Sequence, residues 1–176
     1  MRLLSFTLLI SFLLISFVSP AAKDYLYVVK FDKGEMFSDV SPDINMSLSK
    51  EHGKDGKISL KIIYEKDGFL GEWKPVRAFW GDYSKLTFYI YNDSAEEKTL
   101  TLRIKGAKEP PKTPENTFEI VLKLPPKESF QEIDLKKAVC LDGKSLLDYS
   151  KIYVYSFDNK DGKPLTVYLS EFKLVK

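Results

Sequence analysis

The 176 residues carry 27 Lys plus Arg against 25 Asp plus Glu and a single His, for a formal net charge of +2. That balance offers no basic field for nucleic acid. One Cys excludes an intrachain disulfide or a Cys-rich zinc site, and one His leaves no material for a His-based metal centre or triad. A hydrophobic content of 44% rules out a disordered chain, and the length suits one domain with its own core.

Residues 1–22 read as a secretory signal peptide. Arg2 supplies the positive start, Leu3 to Val18 is uncharged and largely apolar, and Ser19, Pro20, Ala21 and Ala22 form a small-residue cleavage region before Lys23. The alternative is an uncleaved anchor, but the apolar run is shorter than the roughly 20 residues a bilayer helix needs. Cleavage places residues 23–176 outside the cytoplasm, secreted or periplasmic, with no membrane attachment.

The remainder reads as short strands. Tyr25 to Phe31 is rich in Tyr and Val. Gly34 to Lys57 is irregular and holds at least one further edge strand or a functional loop. Ile58 to Tyr64 alternates, and Gly71 to Tyr83 reads as a loop or short strand. Lys85 to Tyr91 sets Leu86, Phe88 and Ile90 against Thr87, Tyr89 and Tyr91. Thr99 to Lys105, Thr117 to Leu124 and Phe130 to Leu135 repeat the period of two. Leu135 to Asp148 holds a short helix or turn, and Lys151 to Phe157 and Leu165 to Val175 close the chain. Turn signals such as Asp67-Gly68, Asn92-Asp93, Pro125-Pro126 and Asp161-Gly162 separate the runs. About eight or nine strands so spaced predict an all-β fold, an antiparallel β-sandwich or jelly roll.

Four stretches carry a family resemblance. Val29 to Gly34 (VKFDKG) opens the domain. Ser47 to Ile62 holds a hairpin with Lys54-Asp55-Gly56-Lys57, Asp82 to Asn92 reads DYSKLTFYIYN, and Tyr168 to Leu174 reads YLSEFKL. Together they resemble the galactose-binding-like jelly roll of carbohydrate-binding modules in secreted glycoside hydrolases. The resemblance implies a non-catalytic module that binds polysaccharide or another glycan. It also implies a structural calcium held between the opening and closing strands. Asp32 matches the opening acidic position, while Ser170 stands where the family commonly has Asp and Glu171 follows one residue later. Asp32 and Glu171 are therefore the candidate metal ligands.

Sugars present flat C–H faces ringed by hydroxyls, which Trp and Tyr rings stack against while charged and amide groups bind the rim. Trp73, Arg77, Trp80 and Asp82 combine both kinds of group within one short segment. If Leu86, Phe88 and Ile90 face inward, Tyr89 and Tyr91 face outward. Ile152 and Val154 by the same rule send Tyr153 and Tyr155 outward. These eight residues are the candidate carbohydrate contacts. His52, in the turn-like Glu51-His52-Gly53, is read as structural or solvated. The rival function is an extracellular or envelope protein-interaction module on the same sandwich, burying an apolar patch on its partner.

Overall fold

The computed structural model describes residues 24–106 and 114–176. The expected leader lies outside the described residues. Two antiparallel sheets face each other. The first contains β3 (Ile44–Ser49), β4 (Ser59–Tyr64), β11 (Leu165–Val175), β6 (Lys85–Asn92) and β9 (Lys127–Asp134), paired in that order. Its β1 (Tyr25–Tyr27) pairs with the far end of β11, beyond the stretch used by β4. The second sheet runs β2 (Asp39–Val40), β5 (Gly68–Trp73), β10 (Ile152–Asn159), β7 (Lys98–Gly106) and β8 (Thr117–Leu124). The chain crosses repeatedly from one sheet to the other, and the all-β jelly roll expected from the alternation is the fold observed.

Period-two patterning builds the core between the sheets. Leu86, Phe88 and Ile90 from β6 and Val167, Leu169, Phe172 and Leu174 from β11 meet Leu100, Leu102 and Ile104 from β7 and Tyr155 and Phe157 from β10, all buried. Phe172 lies edge-on to Phe88, Tyr155 and Phe37 at centroid separations of 5.7, 5.5 and 6.1 Å. Each such contact adds roughly 0.5–1.5 kcal/mol to the value of burial.

Two bulges shift the alternation. One lies between Ser170 and Lys173 of β11, where Glu171 has φ +54°. It moves the inward set from Val167 and Leu169 to Phe172 and Leu174. The other lies between Ile152 and Val154 of β10. A bulge inserts one residue and reverses which side faces the core. Ile152 points inward, and then Tyr155 and Phe157 do. Val154, Ser156 and Asp158 take the outer side, opposite Trp73, Gly71 and Phe69 of β5.

Candidate functional site

The outer face of the second sheet carries a groove of about 290 Å³ lined by Asp39, Phe69, Gly71, Glu72, Trp73, Arg103, Lys105, Val154, Tyr155 and Ser156. The side chains along β5 explain its shape. Phe69 and Trp73 are 48% and 49% exposed and stand as two walls. Between them lies Gly71, flanked by Ser156 on β10. A Cβ at Gly71 would come within 2.0 Å of the Tyr155 carbonyl oxygen, so the close approach of β5 and β10 keeps this floor bare.

Each wall is braced. Asp39 Oδ2 accepts the Trp73 backbone N–H at 2.7 Å, which ties the end of β5 to the short edge strand β2. Tyr153 packs against the Trp73 ring at 5.0 Å, and its carbonyl accepts the Lys74 N–H at 2.7 Å. Beyond Ser156, Arg103 Nε donates to Glu119 at 2.6 Å and its Nη1 reaches Asp158 at 3.1 Å. Lys160 Nζ meets the second Glu119 oxygen at 2.6 Å. Burial works to raise the Glu119 carboxyl, but Lys160 and Arg103 together outweigh it and hold the group below the usual carboxylate range. Glu72 turns inward, where burial pushes its carboxyl up despite the neighbouring Tyr155 hydroxyl and Arg77. The groove thus offers two aromatic faces and a set of fixed polar groups.

Of the eight candidate contacts, the structure brings Trp73 and Tyr153 together at this groove. Trp80 and Tyr155 are corrections, because both are fully buried and no ligand can reach their rings. Trp80 donates its Nε1–H to the Arg77 carbonyl at 2.8 Å, which satisfies the indole inside the core. Tyr155 points inward because the β10 bulge reverses the parity that the sequence pattern assumes. Arg77 forms a two-pronged pair with Glu35, both contacts 2.7 Å, and also donates to the Val28 carbonyl at 2.9 Å. It fastens the loop after β5 to the opening segment, and the Arg77 hydrogen bonds hold the Glu35 carboxyl below its ordinary range. Asp82 is exposed on the same loop, outside the groove lining.

Tyr89 and Tyr91 do point outward, but from the first sheet, so they form no row with Tyr153. The loop between β3 and β4 folds over them. His52 lies flat on Tyr91 at 3.6 Å with an interplanar angle of 11°, and meets Tyr168 edge-on at 4.6 Å. Glu51 Oε2 accepts the Tyr168 hydroxyl at 3.0 Å. Lys54 sits 4.7 Å over the Tyr89 ring and pairs with Glu128 at 3.2 Å.

Asp32 and Glu171 line one cavity of about 250 Å³ with Tyr27 and Lys57. The Glu171 carboxylate is engaged by the Lys57 ammonium and by Lys173 at 2.9 Å. Calcium needs several oxygen ligands and uncompensated negative charge. Here two fixed ammonium groups already neutralise Glu171, and no group of three or more His, Cys, Asp or Glu among the described residues could hold a metal ion. The donor set does not fit calcium.

The sequence reading missed Phe69, Asp39, Ser156 and Arg103. The available signal was Phe69-Leu70-Gly71-Glu72-Trp73, in which two rings and a glycine share one face of a strand.

No family model matches the sequence, and no curated protein matches it significantly. Solved structures do share the fold. A family 11 carbohydrate-binding module from Clostridium thermocellum, in complex with a β-1,3-1,4-mixed-linked tetrasaccharide, aligns with TM-score 0.59 and 17% identity, over 78% of this chain and 86% of that one. A family 30 carbohydrate-binding module of a cellulosomal cellulase of Clostridium thermocellum aligns with TM-score 0.56 and 13% identity, over 80% and 90%. An exo-β-agarase aligns with TM-score 0.65 and 15% identity, over 86% of this chain and 24% of the enzyme. The fold is thus the jelly-roll sandwich found in carbohydrate-binding modules.

Proposed function

We propose that the protein is a secreted, non-catalytic carbohydrate-binding domain whose site is the groove on the outer face of the second sheet. The observation that carries this reading is the pair of half-exposed rings, Phe69 and Trp73, standing either side of a floor that Gly71 keeps bare. Rings so placed lose little conformational freedom when a sugar face covers them. Asp39, Ser156 and Arg103 supply hydrogen-bonding groups along the groove. The shared fold with carbohydrate-binding modules supports the same reading. Affinity electrophoresis through gels containing mixed-linkage β-1,3-1,4-glucan, agarose, xylan or polygalacturonate tests it. Retention by at least one polymer, lost in Trp73→Ala, is the expected result. Unretarded migration in every gel would overturn it.

A second reading has one observation behind it. Val76 is 95% exposed and Phe79 73% exposed on the loop after β5. Apolar side chains so displayed suit a protein partner. A stoichiometric protein captured by the wild type and lost in Val76→Ser/Phe79→Ser, with no glycan retention, would favour that role.

A further inference from the structure

Taking the groove as a carbohydrate site, we infer that it selects an uncharged glycan chain lying lengthwise along β5. Two non-adjacent sugars rest on Trp73 and Phe69, and the intervening chain passes over Gly71 and Ser156.

The spacing sets the minimum ligand. Phe69 and Trp73 are four positions apart on the same side of one strand, which at about 3.3 Å per residue separates their backbones by roughly 13 Å. That exceeds the width of a single pyranose ring, so no monosaccharide touches both walls. Both rings project from β5, so the line joining them follows that strand and does not cross the sheet. The gap between them cannot be filled by a side chain at position 71, where a Cβ would strike the Tyr155 carbonyl oxygen. Ser156, facing the same gap from β10, is small.

The charge pattern sets the ligand class. An anionic sugar needs a cation to neutralise it. The Arg103 guanidinium is shared between Glu119 and Asp158, the Lys160 ammonium is taken by Glu119, and Lys105, the other cation in the groove lining, is itself engaged. Asp39 places a further carboxylate in the groove lining, and the Asp158 carboxylate that holds Arg103 lies opposite Phe69 on β10. A uronate or sulfate laid here would displace existing ion pairs or meet acidic oxygens. Neutral hydroxyls can donate to those oxygens without that cost.

The test uses the full secreted protein and a series of oligosaccharides, from one to six units, matching whichever neutral polymer retains it (cello-, xylo- or agaro-oligosaccharides), measured by calorimetry. Affinity is expected to rise at least about tenfold between the disaccharide and the tetrasaccharide, the length at which a chain spans both rings. Phe69→Ala should lose about tenfold on the hexasaccharide and nothing on the disaccharide, whereas Phe69→Tyr should retain binding. Ser156→Leu should fill the gap and block the long chains. Circular dichroism and thermal melting confirm that each variant is folded. Equal affinity for the monosaccharide and hexasaccharide, a Phe69→Ala variant matching wild type on the hexasaccharide, or stronger retention by polygalacturonate than by any neutral polymer would overturn the inference while leaving the carbohydrate reading intact. Retention by no polymer of either charge would remove both.

Discussion

The two outer faces of the sandwich are both rich in aromatic side chains, yet they end in opposite states. On the first sheet, Tyr89, Tyr91 and Tyr168 face outward, and the β3–β4 loop lies across them. His52 covers the face of Tyr91, Lys54 covers Tyr89, and Glu51 holds the Tyr168 hydroxyl, while exposed rings on that sheet, Phe130 and Tyr25, stand on the outlying strands β9 and β1. On the second sheet, Phe69 and Trp73 keep one side wet because Gly71 and Ser156 give the neighbouring positions no bulk. The difference teaches that outward aromatic direction alone does not make a binding platform. What lies over the ring and what lies beside it decide whether a ligand can reach it. The loop contacts on the first sheet even imitate a bound sugar, with a flat ring stacked on Tyr91 and a carboxylate receiving a phenolic hydroxyl.

The largest effects separate the two indoles. Trp80→Ala would open a cavity in the core and strand the Arg77 carbonyl that now accepts its Nε1–H, at a cost of about 3–5 kcal/mol, read as a fall in the urea midpoint. Trp73→Ala should leave that midpoint within about 0.5 kcal/mol of wild type, because the ring is half exposed. Its loss should appear in glycan affinity, by about 2 kcal/mol or roughly 30-fold. Equal destabilisation by the two substitutions would erase the distinction between wall and core. A smaller effect tests the covered face. Tyr91→Ala should cost about 1–2 kcal/mol of stability through its lost contacts with His52 and Tyr168, and leave glycan affinity unchanged. A loss of affinity in Tyr91→Ala with Trp73 intact would move the site to the first sheet.

Most of the fold was legible from alternation. The strands around Leu86-Phe88-Ile90, Leu100-Leu102-Ile104 and Phe118-Leu122-Leu124 read directly, because each keeps one parity from end to end. The site was legible in part. Trp73 is legible from residue type and Tyr153 from the period-two count, whereas the same count puts Tyr155 on the wrong side because one extra residue after Ile152 reverses it. A bulge has no composition signature of its own, so the inward Tyr155 and outward Ser156 could not be read from a regular period. β5 was hidden for a related reason. Gly68 and Gly71 dilute its pattern, and the same glycine that weakens the strand signal clears the groove floor. The covering of Tyr91 by His52 depends on a contact between residues 39 positions apart, which local patterning does not encode.

Acid sharpens the contrast between the charged groups outside and inside the second sheet. Glu119 is held below the ordinary carboxylate range in the folded protein, so its ionised form is favoured by folding. Its contribution is complete above the unfolded carboxylate range and is lost as the pH falls through that range and below it. Glu72 has the reverse sign, since burial raises it, and protonation relieves its cost as the pH falls. Thermal melts of Glu119→Gln should therefore lie below wild type near neutrality and converge with it in acid, while Glu72→Gln should show its advantage near neutrality and lose it in acid. Parallel curves for either variant would mean that its carboxylate is not the group being titrated.

The smallest expected effect concerns the far end of the covering loop. Lys57 closes that loop onto Glu171 at the β11 bulge, and Lys173 holds the other carboxylate oxygen. Because the positive charge there is supplied by the chain itself, addition of a chelator or of millimolar calcium should leave the melting temperature unmoved, whereas Glu171→Gln should lower it by releasing both lysines. A ligand that binds only the folded state must raise its stability by mass action. A calcium-dependent rise in melting temperature that disappears in Glu171→Gln would therefore show that the ion outcompetes Lys57. The loop over Tyr91 would then be anchored by metal, and the first face would be closed conditionally, not permanently.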